Sequence, residues 1–311
     1  MALSISSFVL RRAVRVLVVL ASVLALTFLI FHVLKPELFH DPRPMAVQLW
    51  AFLKGVFLHF DLGRSWTQGH RRVSSMVLDG LPADLSLFAG GIVLGTAGGV
   101  ACGAVCGLRP RSLVSRALEG VATVAICAPV YWVGLMAIFL FAPDIGSLPI
   151  PFVGGQGVYQ PLTKDPLHWL QGLVLPWIVL AAPLWGMCLR MMRISIGEAL
   201  EQDFMRTAAG KGLRPRTILR RHAVPAGAAP AISLAGVQSV MVVSNALLLE
   251  RVFNIPGILR MTTESMGSVE GHGTVDYPLL IGIVLVGTLL IVAANLAADT
   301  VQAWLDPRVR T

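Results

Sequence analysis

Six long apolar runs dominate the chain, near residues 13–34, 84–107, 117–142, 173–189, 228–249 and 278–302. A bilayer's hydrocarbon core is about 30 Å thick and an α-helix rises about 1.5 Å per residue, so a spanning helix takes roughly 20 apolar residues. The runs are continuous rather than alternating, which argues against strands. Hydrocarbon offers no partner to a free backbone N–H or C=O, so such runs fold as helices with internal hydrogen bonds. The expectation is an all-α membrane protein with six transmembrane helices. Composition agrees: 55% of the 311 residues are hydrophobic and only 14% are charged, against about 25% charged in soluble domains.

The first run follows Arg11, Arg12 and Arg15. It is too long for a signal-peptide core and no small-x-small cleavage site follows it, so it reads as a retained anchor. Orientation comes from the 25 Lys and Arg residues. With a cytoplasmic amino terminus, sixteen of them fall in inside segments and nine in outside segments of greater total length. The positive-inside rule then places both termini in the cytoplasm of a multi-pass plasma-membrane protein. The net charge of +8 reports topology before it reports a partner. Two regions are expected: residues 1–83, an N-terminal helix with an external segment, and 84–311, a five-helix core.

Within the second run Gly91, Gly95, Gly99, Gly103 and Gly107 recur every fourth residue and make a ridge that lets another helix approach closely. Pro129, Pro176 and Pro183 interrupt the third and fourth runs, where kinks are expected. The four cysteines, Cys102, Cys106, Cys127 and Cys188, lie in spans without convergent ligands and read as inert thiols. With the seven histidines scattered, no metal site is expected. Glu119 and Asp299 fall near cytoplasmic ends within reach of Arg116 and Arg308, and Asn295 suits a bond between helices.

The longest inside connection, about 190–225, carries the basic stretch RTAAGKGLRPRTILRRHAVP. A phosphate-binding loop needs Gly, four residues, then Gly-Lys-Ser/Thr. Here Gly212 follows Lys211 and Met205 stands where the first glycine belongs. Nucleic acid is excluded as a partner by the lack of an aromatic platform for bases. The stretch reads as two short helices. Glu198, Glu201 and Asp203 would occupy the first turns of one, with Lys211 and Gly212 at its end. Pro215 would open the second and Pro225 end it.

Residues 197–230, GEALEQDFMRTAAGKGLRPRTILRRHAVPAGAAP, resemble the EAA loop of ABC importer permeases in the dipeptide, oligopeptide and nickel permease family. The matching positions are Asp203, Phe204, Arg206, Thr207, Ala208, Lys211, Gly212, Leu213, His222, Ala223 and Pro230. FDLGRSW at 60–66, LPADLSL at 81–87, ERVFNIPGI at 250–258, DYP at 276–278 and LDPRVR at 305–310 continue the resemblance in order. The region after the first helix is shorter than is usual in the family and lacks its Gly-Asp-Pro motif.

The resemblance implies a permease subunit of an ATP-driven importer for peptides or a related small solute, not an enzyme itself. It implies a cytoplasmic coupling-helix loop between helices four and five, with Asp203 to Leu213, Ala209 included, docking in an ATPase cleft. It implies as partners a second homologous permease in a heterodimer, two ATPase subunits that bind ATP and Mg, and an external solute-binding protein, with no cofactor in this chain. Glu250, Val252, Phe253, Pro256 and Gly257 belong to an external loop at the pore mouth, with Phe253 expected to pack inward and Pro256-Gly257 to make the turn. The competing class, an ion-coupled secondary transporter, calls for carboxylates or broken helices near the bilayer midplane, and mid-span positions here are nearly free of carboxylates. An intramembrane enzyme finds no His-Glu-x-x-His or other catalytic signature.

Single cysteines placed near Ser112 and Arg216 in a cysteine-free variant should resist an impermeant thiol reagent in intact cells, while cysteines near Gln68 and His272 should react. Labelling at 216 from outside would reverse the orientation.

Overall fold

The computed structural model describes residues 2–34, 36, 41–143, 146–150, 152–203, 205, 210, 215–218, 223–266 and 275–305. Among the described residues eight helices of twelve or more residues carry the architecture: α1 Ala2–Leu34, α2 Met45–His59, α3 Val73–Leu108, α4 Leu113–Cys127, α5 Val130–Phe141, α6 Pro166–Glu201, α7 Val224–Val252 and α8 Tyr277–Leu305. Among the described residues the only β pairing is an isolated antiparallel bridge between Arg64 and Arg72. The chain is an all-α membrane protein. Five helices are individually long and apolar enough to cross a bilayer, and α4 with α5 makes a sixth if the bent pair counts as one span.

That pair departs from the expected straight or kinked third span. α4 and α5 meet at 111°. Proline pushes the residue before it out of the helical region, and Ala128 is extended at φ −75°, ψ 134°. The N–H of Ala128 closes α4 on the Val124 carbonyl, and the Pro129 carbonyl opens α5 by accepting from Val133. Pro176 and Pro183, by contrast, sit inside a continuous α6. A second departure is α2, a 15-residue apolar helix in the segment expected to be an external connection.

The chain divides into two compact units, Met1–Pro82 with Gly257–Val292 and Ala83–Pro256 with Ala293–Thr311. In the first unit α1 buries Leu20, Leu24 and Phe28, one stripe at four-residue spacing. Phe28 stacks on Phe52 of α2 at 5.4 Å, and Phe31 meets Tyr277 of α8 edge-on at 5.2 Å. Gly80 admits a backbone: a Cβ there would stand 2.6 Å from the Ile258 nitrogen.

In the second unit the glycine ridge of α3 lies against α6. A Cβ at Gly91 would meet Leu180, at Gly95 the Ala181 carbonyl and Leu184, and at Gly99 Cys188 and the Trp185 carbonyl. At Gly103 it would meet the Leu189 carbonyl and Met192, and at Gly107 Ile196. Partners advance along α6 as the glycines advance along α3, so the two helices run parallel here. Beside the ridge a Cβ on Gly90 would collide with the indole of Trp177. Because it is absent, Trp177 Nε1 reaches the Ser86 carbonyl at 2.8 Å.

α4 and α7 complete this unit. Cys106, Ala122 and Leu189 pack α3, α4 and α6 together, and Met192 and Ile196 pack on Ala228 and Ala231 of α7. Glu119 of α4 pairs with Arg193 of α6 at 2.6 Å, not with Arg116 in the same helix, and Arg190 donates to Thr123 at 2.6 Å. Asn295 of α8 donates to Ser239 of α7 at 3.4 Å, a bond between helices. All four cysteines are free thiols.

Overpacking costs about 1–3 kcal/mol. Gly99→Ala, whose Cβ would lie 2.5 Å from that of Cys188, should therefore lower the Tm in detergent. Gly120→Ala in α4, where nothing lies within 4 Å, should hold or raise it. Equal effects would remove the ridge from the packing.

Candidate functional site

At the loop between α6 and α7, α6 runs on to Glu201 and Gln202 turns extended, at φ −73°, ψ 149°. Glu198 and Glu201 thus close α6 and do not open a loop helix. The buried stripe of α6 continues through Ile196 and Ala199, which carries the helix past its apolar run. The chain is helical again at Asp203, Met205 and Gly210, and over Pro215–Ile218. Met205, Ile218 and Ala223 bury one another, giving the loop a small core. Pro225 stands in the first turn of α7, where its missing N–H costs nothing, rather than ending a loop helix. Phe204, Arg206, Thr207, Ala208, Ala209, Lys211, Gly212 and Leu213 lie outside the described residues.

At the opposite end of the second unit α7 finishes at Val252. Ile255 N donates to the Glu250 carbonyl at 2.8 Å and Asn254 N to that of Arg251 at 3.4 Å, while Asn254 takes the left-handed conformation at φ 53°. This is a Schellman ending with asparagine in the place glycine usually takes. The turn therefore falls at Phe253-Asn254, not at Pro256-Gly257. Phe253 is buried, as is Glu250. The Phe253 carbonyl accepts from Gly157 N at 3.0 Å and the Val252 carbonyl from Gln156 Nε2 at 2.7 Å, so the 154–165 loop is stitched to the end of α7. Asp165 caps α6, accepting from Leu167 N and His168 N, and its other oxygen meets the His168 ring at 2.6 Å. Those bonds, the His168 backbone N–H first, hold its carboxyl below the usual range. Tyr159 is buried against Gly172, and burial pushes its phenol up.

In the first unit the segment between α2 and α3 closes on one carboxylate. Asp276 is fully buried. Its Oδ2 accepts from Ser65 Oγ at 2.5 Å, Trp66 N at 2.8 Å, Thr67 N at 2.9 Å and Thr67 Oγ1 at 2.8 Å. Its Oδ1 accepts from Leu279 N at 3.1 Å, capping α8 as an N-cap aspartate does. Gln68 extends the clasp to Glu264 at 2.8 Å. Hydrogen bonds to an ionised acceptor are roughly twice as strong as neutral ones, so this one side chain ties the 65–67 segment to the start of α8.

Residues 99–311 match the family of binding-protein-dependent transport system inner membrane components. The chain belongs to this family. A protein of Brucella abortus (strain 2308), provisionally named a peptide transport system permease protein, is 29% identical over 268 residues, covering 86% of this chain and 81% of its own. The dipeptide transport system permease protein DppB of Bacillus subtilis (strain 168) is 26% identical over 272 residues, covering 88% and 82%. This permease is thus a membrane subunit of an ABC importer, and the ion-coupled reading gives way.

Asp276, Ser65 and Asp165 were absent from the candidate residues drawn from the sequence. The two aspartates had a legible signal, since Asp165-Pro166 and Asp276-Tyr277-Pro278 place an N-cap acid just before a proline in the first turn. In the permease, Asp276→Ala would leave the donors of Ser65, Trp66 and Thr67 without their acceptor, at about 1–3 kcal/mol for a buried group, here Ser65, which is fully buried. Trypsin should then cut at Arg71 or Arg72 faster, with Asp276→Asn showing a smaller increase. Unchanged cleavage in both would mean that Asp276 does not hold the segment.

Proposed function

We propose that the permease carries peptides, pairing with a second, homologous permease to form the pore. Two separate ATPase subunits bind ATP and Mg, and an external binding protein delivers the solute. Support for the solute comes from the relatives in Brucella abortus and Bacillus subtilis, which are named peptide and dipeptide permeases. The observation that supports the coupling role is the mutual burial of Met205, Ile218 and Ala223 in the connection between α6 and α7, which offers a cytoplasmic partner a packed surface. Both termini lie in the cytoplasm in this reading, on the same side as the loop.

Asp203 through Leu213 dock in the ATPase cleft, with Ala208 and Ala209 allowing close approach and Arg206 and Lys211 meeting carboxylates or helix C-termini. Differential binding by the open and closed ATPase states then moves the loop and switches access to the pore. Glu250, Val252, Phe253, Pro256 and Gly257 form the external mouth.

Ala208→Asp places an unpaired charge in that contact, which is costly if it stays buried. The variant should lose the ATPase on co-purification from detergent while still inserting and pairing with its partner permease. Arg214→Ala, beyond the docked helix, should retain it. Full ATPase binding and transport by Ala208→Asp would remove the coupling assignment.

A further inference from the structure

α2 turns large apolar side chains outward and a polar one inward. Gln48, in its first turn, is 8% exposed and donates through Nε2 to the carbonyls of Asp41 at 3.0 Å and Arg43 at 2.8 Å. Trp50 and Leu58 are 70% and 68% exposed, and Val47 and Phe57 are exposed beside them. Water disfavours such an arrangement, because apolar surface gains nothing there and the polar side chain has turned inward.

Its height is set by α1. The apolar span of α1, Val14–Leu34, is 21 residues long, about 31 Å at 1.5 Å per residue, which matches the hydrocarbon thickness. Leu34 therefore marks the hydrocarbon edge, and the charged Lys35 follows. Phe52, in the middle of α2, stacks on Phe28, six residues or about 9 Å inside that edge. The contact of Phe31 with Tyr277, the first residue of α8, places Phe28 deeper than the start of a second span. Leu26, Ile30 and Val33 of α1 are exposed as well.

We infer that α2 is an interfacial helix seated in the outer leaflet, its Trp50, Val47 and Leu58 face in contact with acyl chains. The depth fits helices that lie about 5–10 Å into the headgroup and acyl boundary. Lys54, exposed on the same face, lays its methylene stem along that surface and lifts its ammonium to the headgroups. Phe60 ends α2 in the left-handed conformation at φ 49°, and the chain turns from there into the Ser65–Thr67 clasp on Asp276. The leaflet thus fixes the height of the external segment through α2.

The test uses the assembled transporter in vesicles of phosphatidylcholine and phosphatidylglycerol, with Cys102, Cys106, Cys127 and Cys188 replaced by serine. Nitroxides are attached to Trp50→Cys and Leu58→Cys, with Arg43→Cys as the aqueous reference. Ala51→Cys, a smaller change on the same exposed face, serves if the Trp50 variant fails to assemble. The ratio of oxygen to nickel-chelate accessibility should be several-fold higher at 50, 51 and 58 than at 43. A ratio at 50, 51 and 58 equal to that at 43 would place α2 in water. Protection from both reagents in the complex would place it against a partner subunit. Either result overturns the inference.

Discussion

Close approach of α3 and α6 is the contact on which the second unit depends. Between helices in lipid the hydrophobic effect contributes little, because acyl chains are as apolar as leucine, and association rests on packing and on hydrogen bonds between helices. The ridge from Gly91 to Gly107 supplies the first, bringing α3 against the backbone carbonyls of Ala181, Trp185 and Leu189. The Gly90 notch supplies the second by admitting Trp177 to the Ser86 carbonyl. With α6 held on one side, α4 and α7 pack on its remaining faces, and α6 and α7 deliver the two ends of the connection between them.

Within each unit the helix ends at Asp276 and at Val252-Phe253 follow a different logic, in which helix termini and loops satisfy one another. Asp276 caps α8 and binds the 65–67 segment with the same carboxylate. The carbonyls of Val252 and Phe253 at the end of α7 take donors from Gln156 and Gly157. The Asp276 bonds are the more sheltered of the two sets, since its carboxylate is fully buried, whereas the Gln156 bond is exposed.

Much of this was legible in the sequence for a plain reason: hydrocarbon imposes a length and a composition, and the runs at 13–34, 84–107, 173–189, 228–249 and 278–302 satisfy both. The glycine spacing likewise announced a packing surface, although its partner helix could not be read. The break at Pro129 was visible as a residue but not as a 111° bend, since hydropathy carries no angle. α2 escaped notice because 15 residues are too few to span. Glu198 and Glu201 misled because acidic residues suit a helix start, whereas here the buried stripe through Ile196 and Ala199 extended α6 across them. In the coupling loop, charge and periodicity left several partners open, and the choice among them came from resemblance over residues 203–213.

The central claim is that this chain forms a pore whose work is done by ATPases outside it. The direct measurement is uptake of a labelled peptide into proteoliposomes that hold the permease, its partner permease, the ATPases and the external binding protein. The account predicts uptake that requires ATP and the binding protein and persists when proton and sodium gradients are collapsed. Uptake by this chain alone, driven by either gradient without ATP, would contradict it.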